Sequence, residues 1–330
     1  MSAGPNPLDG AIPKVSVVIP TYLRPELVRL AVASAIDQDL PSDAYEVIVA
    51  DSSPDDTVGA AVRAMVPGAR CRLRYEHKSP EGPGPSRNLG ARLARAPFVA
   101  FLDSDCVATR SWLREGLAAF ADGVGIVQGR TLPDPQGRPG VFTWYLEVQQ
   151  ESFIYEAANL FYRREAFDAA GGFWADMHPN SVKPMGGEDV DLGWRVKRLG
   201  WQSRFAPEAV VHHEVVPIPV WKWLYTKQLF IWPLLVKRFP ELRRFFFACY
   251  FYDRAQALLL LALVGGLLAW LTTPVALVAC VPYLWLRISE PSKTLRGLRR
   301  PLRVGAYLLK DLTSLGLLLA GSVRYRCPLL

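Results

Sequence analysis

Two acidic clusters carry the chemical interest of this sequence. The first is Phe98-Val-Ala-Phe-Leu-Asp103-Ser104-Asp105, an apolar run that ends in two carboxylates one residue apart. A buried strand ending in Asp-x-Asp projects both carboxylates to one side, because strand side chains alternate with period two. Hard oxygen ligands at that spacing suit Mg2+ or Mn2+, with a substrate diphosphate completing the shell. His212 and His213, which follow the apolar run Ala209-Val-Val, are candidates for the third ligand beside Asp105. The second cluster is Gly187-Glu188-Asp189-Val-Asp191-Leu-Gly-Trp-Arg195. Acids at a helix start cap it and suit its dipole, which accounts for one carboxylate more easily than for three within four positions. Asp189 and Asp191, two apart on a helix, point in different directions and take different jobs. One suits a general base, the other a salt-bridge partner for Arg195.

Two further residues read as anion or nucleotide contacts. Arg87 starts or precedes a helix after Gly82-Pro-Gly84, where a guanidinium and free amides both favour a phosphate. Asp51, at a strand end, can accept a hydrogen bond from a base or a ribose.

These side chains need a scaffold. Val15–Ile19, Tyr45–Ala50, Cys71–Glu76 and Phe98–Leu102 read as strands, and helical patterns cover about Pro25–Ile36, Asp55–Met65 and Ser86–Arg95. Alternation of this kind implies an α/β fold with a largely parallel sheet and helices on both faces. Ligands collect at the carboxyl ends of such strands. The polar residues after Ile19, Ala50 and Leu102 fall there. The second half is less regular, with strands expected at Ile126–Thr131, Phe153–Phe161 and Ser203–Val211 and a helix at Asp189–Leu199. Pro133–Gly140 and Ala175–Gly187 are loops near a site.

Charge divides the chain. Residues 1–220 hold 22 Lys and Arg against 27 Asp and Glu, whereas residues 221–330 hold 16 against 4. The basic surplus lies in the most apolar part of the chain, which favours an anionic membrane over nucleic acid as its partner. Residues 217–254 mix Trp221, Trp223, Tyr225, Trp232 and Phe245–Phe247 with Lys and Arg, as an interfacial segment does. Ala255–Leu286 then has no charged residue for 32 positions. One helix of that length would run about 48 Å, too long for a hydrocarbon core of roughly 30 Å. Thr272-Thr273-Pro274 divides it into a tight hairpin, with Arg254 and the basic 287–303 segment holding both ends in the cytoplasm. Leu312–Val323 is a shorter apolar stretch suited to the interface. Met1–Pro13 lacks the pattern of a signal peptide. Five scattered cysteines without a Cys-x-x-Cys pair fit a reducing compartment.

Taken in order, the motifs resemble the family 2 glycosyltransferases, which have a GT-A fold. Val17-Val-Ile-Pro-Thr21-Tyr22-Leu-Arg24-Pro-Glu26 looks like that family's opening strand and turn, and Glu46-Val-Ile-Val-Ala-Asp51-Ser-Ser-Pro-Asp55 like its second strand. Ser86-Arg87-Asn88-Leu-Gly90 is similar to its phosphate-proximal helix, and Asp103-Ser104-Asp105 to its metal motif. Asn159-Leu-Phe-Tyr-Arg163 and Gly171-Gly172-Phe173 resemble its acceptor-side segment, and Gly187-Glu188-Asp189 the motif that holds its base. Cys106 follows the Asp-x-Asp where a third acid is common.

The resemblance implies a GT-A catalytic domain over residues 1–216, with a nucleotide-binding half (1–130) and an acceptor half (131–216). Residues 217–330 would be interfacial and transmembrane helices. It implies an inverting, metal-dependent transfer from a nucleotide-diphosphate sugar to a hydroxyl on a glycan or lipid-linked acceptor at the cytoplasmic membrane. Thr21, Tyr22, Arg24, Glu26, Asp51, Arg87, Asp103 and Ser104 would hold the donor, and Asp105 with His212 or His213 the Mg2+ or Mn2+. Asp189 would be the base, and Asn159, Gly187, Glu188, Asp191 and Arg195 would lie toward the acceptor. A polyprenyl-phosphate sugar synthase is the near alternative, because a phosphate acceptor needs little base catalysis. A nucleotidyltransferase is the distant one.

Overall fold

The computed structural model describes residues 12–140, 142–174, 186–289, 295 and 299–330. Two compact units divide the chain. The first runs to Gly137, resumes over Tyr145–Pro184 and includes Glu188–Glu214; the second takes Arg138–Trp144, Met185–Gly187 and everything from Val215 onward.

The first unit is built on strands β1 (Val15–Thr21), β2 (Tyr45–Asp51), β3 (Arg72–His77), β4 (Phe98–Leu102), β5 (Cys106–Ala108), β6 (Val124–Pro133), β8 (Asn159–Arg163) and β9 (Gln202–His213). The short strands β7 (Thr143–Trp144) and β10 (Val216–Pro217) pair with each other in the second unit. All seven residues of β1 and of β2 are buried. This is why both read as β-branched runs without alternation. Helices α1 (Pro25–Ile36) and α2 (Thr57–Arg63) pack on Val15, Val17 and Ile19. On the opposite face α3 (Pro83–Leu93) lays Gly90 against Val18.

Sheet order is β3-β2-β1-β4-β8-β6-β9-β5. The first four strands are parallel, β8 runs antiparallel to both β4 and β6, β9 is parallel to β6, and β5 closes the edge antiparallel to β9. The mixed sheet with helices on both faces agrees with the sequence reading. Strands β1 and β2 end in register at Thr21 and Asp51, which places the site at one edge of the parallel half.

Three boundaries differ from expectation for local reasons. Helix α3 begins at Pro83, not Ser86, because Pro is suited to a first helical position and Gly82 turns into it at φ +102°. Strand β8 begins only at Asn159: Tyr155 has a left-handed backbone (φ +55°), and Ser152 Oγ bonds Glu156, so this stretch turns. The carboxylates of Asp103 and Asp105 lie in a turn closed by Cys106 N–H to the Asp103 carbonyl, not on a continuing strand. Of the loop Ala175–Gly187, residues 175–185 lie outside the described residues.

The second unit contains α7 (Val220–Leu224), α8 (Trp232–Arg238), α9 (Arg254–Leu271), α10 (Val281–Ser289) and α11 (Arg300–Tyr325). The remaining helices of the chain, α4 (Trp112–Ala118), α5 (Arg164–Ala169) and α6 (Glu188–Arg198), belong to the first unit. Among the described residues, α9 and α11 are long and apolar enough to cross a membrane. Helix α9 turns at Thr272, and the return leg packs so closely that a Cβ on Gly265 would meet Ala279 at 2.4 Å. Helix α11 is more than twice as long as the apolar stretch Leu312–Val323.

Polarity in these helices is inverted relative to a protein core. Gln256, Tyr283, Arg287, Asp311 and Ser314 are buried, while Leu267, Trp270, Val278, Trp285, Leu312 and Val323 are exposed. The sequence treats Arg287 and Asp311 as flanking charges; in the structure they form a buried pair. Arg287 donates from Nε and Nη2 to the two carboxylate oxygens of Asp311 at 2.8 Å, and the Tyr283 hydroxyl donates at 2.6 Å. Mutual neutralisation permits this burial. Asp311→Ala, which strands the Arg287 cation, should cost about 3–5 kcal/mol of stability. Adding Arg287→Met should recover much of the loss in thermal unfolding of the purified protein.

Candidate active site

Three segments converge at the carboxyl ends of β1, β2 and β4. The first is Thr21–Arg24, whose path is set by a relay from the sheet. Asp51 is fully buried; its Oδ1 accepts from Ser53 N–H (2.8 Å) and Oγ (2.6 Å), and its Oδ2 from Tyr75 (2.8 Å). Ser53 Oγ in turn accepts from Leu23 N–H at 2.8 Å, holding Leu23 at φ +53°. Asp51, expected from the sequence to accept from a base or ribose, is in the structure an internal pin of the loop that presents Tyr22 and Arg24.

Thr21, Tyr22, Arg24, Ser52, Ser86, Arg87, Asp103, Ser104 and Asp105 line a cleft of about 740 Å3, joined by the 80–83 turn. Glu26 is not part of it. Its side chain is 82% exposed and pairs with Arg29 at 3.5 Å, since it lies on the first turn of α1 beyond the cleft-lining residues.

Arg87 is the centre of the charge arrangement. Its side chain is 6% exposed; Nη2 donates to Asp103 at 2.6 Å, and Nη1 lies 3.8 Å from Glu188 and 3.7 Å from Asp189. Burial opposes its charge, but the carboxylates of Asp103, Asp189 and Glu188 hold it protonated. The ring of Phe173 covers the guanidinium at 5.4 Å. Asp189 accepts from Ala157 N–H through Oδ2, and burial pushes its carboxyl up from 3.8 to about 7, against the pull of Arg87. Thr21 Oγ1, Arg87 Nε and Asp189 Oδ1 are buried and have no hydrogen-bond partner in the described residues. Polar atoms left open in this way fit a polar ligand.

Asp191 has a different job from Asp189. Fully buried, it accepts from Arg195 Nε at 2.7 Å, while Arg195 Nη2 donates to the Gly172 carbonyl at 2.7 Å and Nη1 to that of Ala170. Asn88, next to Arg87, bonds Phe173 twice, donating to its carbonyl (2.7 Å) and accepting from its N–H (2.8 Å). A Cβ on Gly172 would approach Asn88 Oδ1 to 2.7 Å, and the residue sits at φ +69°, so both space and conformation require glycine. Asp191 and Arg195 thus tie α6 to the 170–172 turn, and Asn88 ties the adjoining Phe173 to α3. Asn88 was missed by the sequence reading, although it adjoins Arg87. Gly187, at φ +96°, turns the chain into α6.

Asn159 is likewise internal. Its amide donates at 2.9 Å to the carbonyls of Arg130 and Ala209 and accepts at 2.8 Å from the Trp112 indole, joining β8 to β6 and β9. The sequence reading expects Asn159 on the acceptor side; in the structure both polar groups of its side chain are engaged within the sheet and with Trp112.

The metal candidates separate by register. Cys106 pairs with His213 and Val107 with His212, so alternation directs the two histidines to opposite faces. His213 Nε2 lies 3.7 Å from Asp105 Oδ1, whereas His212 Nδ1 lies 3.4 Å from the Pro133 carbonyl. His213 Nδ1 lies 2.7 Å from the Glu214 carbonyl, which can only accept. A proton on Nδ1 would satisfy that contact and make Nε2, on the side of Asp105, the nitrogen available to a ligand. One imidazole nitrogen and one carboxylate suit a divalent ion. The Cys106 Sγ is close by, but burial, Asp103 and Asp105 push the thiol pKa well up, and neutral sulfur is a poor ligand for a hard cation.

The comparisons with known proteins fit this arrangement. Residues 16–176 match the family described as Glycosyl transferase family 2, and residues 98–288 match Glycosyl transferase family group 2. The chain belongs to the family 2 glycosyltransferases. It is an enzyme of glycosyl transfer. Glycosyltransferase AglE of Haloferax volcanii is 26% identical over 220 residues, 64% of this chain and 70% of that protein. The pre-mycofactocin glycosyltransferase of Mycobacterium tuberculosis is 32% identical over 166 residues, 44% of this chain and 33% of that protein. This glycosyltransferase thus spans only part of the curated relatives it matches. Among solved structures, a mannosyltransferase from Pyrobaculum calidifontis has TM-score 0.57 at 19% identity, covering 96% of this chain and 88% of that one. That likeness shows the GT-A fold.

Asn159→Ala would leave the Trp112 N–H and two carbonyls unpaired. The glycosyltransferase should lose about 1–3 kcal/mol for each buried group so exposed. An acceptor contact would instead raise acceptor KM without moving the unfolding transition, and the two measurements distinguish the roles.

Proposed function

We propose that this glycosyltransferase moves a sugar from a nucleotide-diphosphate donor to an acceptor hydroxyl with inversion at the anomeric carbon. The observation that carries the reading is the Arg87 guanidinium, 2.6 Å from Asp103 in the cleft and 3.7 Å from Asp189. One buried cation joins the place where a diphosphate would be held to a carboxyl poised for proton transfer. The Pyrobaculum mannosyltransferase was solved with GDP-Man and Mn2+, and TarS of S. aureus, with TM-score 0.50 at 17% identity, with UDP-GlcNAc. Both support a nucleotide sugar as the donor class.

On this reading Thr21, Tyr22 and Ser104 contact the nucleotide and ribose, and Thr21 Oγ1 gains the partner it lacks. Asp105 and His213 would hold Mg2+ or Mn2+, whose charge offsets that of the diphosphate. Arg87 adds a second positive charge and orients Asp103 toward the donor. Asp189 accepts the proton of the acceptor hydroxyl as its oxygen attacks the anomeric carbon from the face opposite the diphosphate. A carboxyl raised to about 7 is a stronger base than an ordinary aspartate and is half ionised near neutral pH.

The acceptor is proposed to be a glycan or a lipid-linked molecule at the cytoplasmic membrane. Support comes from the outward faces of α9, α10 and α11, where Trp270, Trp285 and Val323 are exposed while Arg287 and Asp311 are covered, and from the 274–280 segment between α9 and α10, where Val275 and Val278 are exposed. Water would favour the reverse arrangement; acyl chains favour this one.

Asp189→Asn should leave nucleoside diphosphate affinity intact and lower turnover by about 10²–10⁴-fold. Near-normal turnover would favour a phosphate acceptor, already ionised. In the wild type, kcat/KM should fall tenfold per unit as pH drops below about 7, because the base is then protonated. Membranes washed with alkaline carbonate should retain the full-length chain; release into the supernatant would remove the membrane-embedded reading.

A further inference from the structure

Asp105 is held by a cation of the protein's own. Arg24 Nη1 lies 2.5 Å from Asp105 Oδ2, and the other carboxylate oxygen faces His213 Nε2 at 3.7 Å. Both Arg24 and Asp105 line the cleft, where Asp105 keeps only 15% of its side chain exposed and Arg24 keeps 50%. A divalent ion held by Asp105 and His213 would meet the guanidinium at short range. Like charges at that range near a protein surface repel, and an ion of double charge roughly doubles the repulsion. Arg24 and the metal cannot share the carboxylate without cost.

The backbone of Arg24 is fixed, but its side chain is not. Leu23 N–H is tied to Ser53 Oγ at 2.8 Å, and Pro25 starts α1 directly after Arg24. The guanidinium itself is half exposed, with Asp105 its ion-pair partner among the described residues. It can swing within the cleft while the loop stays put.

We propose that Arg24 and the divalent ion exchange at Asp105. Arg24 neutralises the carboxylate while the cleft is empty. When metal and donor enter together, it releases Asp105 and turns to the diphosphate, whose negative charge replaces its lost partner. This rests on the divalent-metal reading above and adds a consequence to it. Metal alone must break the Arg24–Asp105 pair and leave the guanidinium facing a like charge. A nucleoside diphosphate removes both penalties. Metal and nucleotide therefore bind cooperatively, and Arg24 is the residue through which the coupling runs.

The test uses the purified full chain and the electron paramagnetic resonance signal of free Mn2+, titrated alone and in the presence of GDP or UDP. The wild type should bind Mn2+ about tenfold or more tightly when nucleotide is present, within the usual range of coupling between sites. Arg24→Gln should bind Mn2+ alone about tenfold more tightly than the wild type, and nucleotide should add clearly less than it does in the wild type, because only its direct contact with the ion remains. Arg24→Lys, which keeps the charge but loses the fork, should fall between. Equal Mn2+ affinity of wild type and Arg24→Gln without nucleotide would overturn the exchange while leaving the metal reading standing. A wild type that binds no Mn2+ under either condition would overturn the metal reading and the exchange with it. Circular dichroism of Arg24→Gln checks that the fold is unchanged, as expected for a half-exposed side chain.

Discussion

A single buried cation constrains this site. Arg87 has lost nearly all contact with water, and a guanidinium so placed is tolerated only if carboxylates surround it. Asp103 and Asp189 are therefore more than substrate groups; they are the counter-charges that let α3 carry an arginine inward. The dependence is mutual. Without Arg87, burial, Glu188 and Asp103 would all favour the protonated form of Asp189, with the Ala157 N–H left to oppose them. On the proposed reading, a diphosphate entering the cleft would change the balance at Asp189 as well as its own surroundings.

Such a balance requires α3 and α6 to stay at a fixed distance, and the sequence supplies a brace for it. Asn88 grips Phe173 by both backbone groups, Arg195 grips the preceding turn, and Asp191 holds Arg195 in place. None of these residues lines the cleft. Their work is to turn two helices far apart in sequence into a rigid jaw, as a preorganised site requires.

The fold was legible where burial is complete and regular. Strands β1, β2 and β4 are predominantly apolar runs, with Ser16 and Glu46 the polar residues inside them, and the polar residues at their carboxyl ends mark the site from sequence alone. The errors share one cause: a polar residue at a strand end reads the same whether it faces a ligand or the protein. Asp51 and Asn159 look like binding groups but spend every polar atom on the backbone or on side chains from other elements. The choice between His212 and His213 depended on the pairing register of β5 with β9, which neither strand reveals alone. The separate paths of Asp103 and Asp105 depended on one backbone hydrogen bond in a turn. In the tail, pairing inverted the expectation: charges read as aqueous flanks neutralise each other inside.

The early excursion of the chain into its second unit has a practical consequence. Arg138–Trp144 belongs with residues that follow Val215: Thr143 and Trp144 pair with Pro217 and Val216, the Ile218 N–H donates to the Phe142 carbonyl at 2.7 Å, and the Phe142 ring meets Trp223 at 5.6 Å. A fragment ended near residue 216 to obtain a soluble catalytic piece would keep one half of this ladder and discard the other. Its orphaned edge and uncovered aromatic ring would invite self-association. A workable excision has to shorten the 138–144 segment as well, so the minimal transferase is defined by two cuts rather than one.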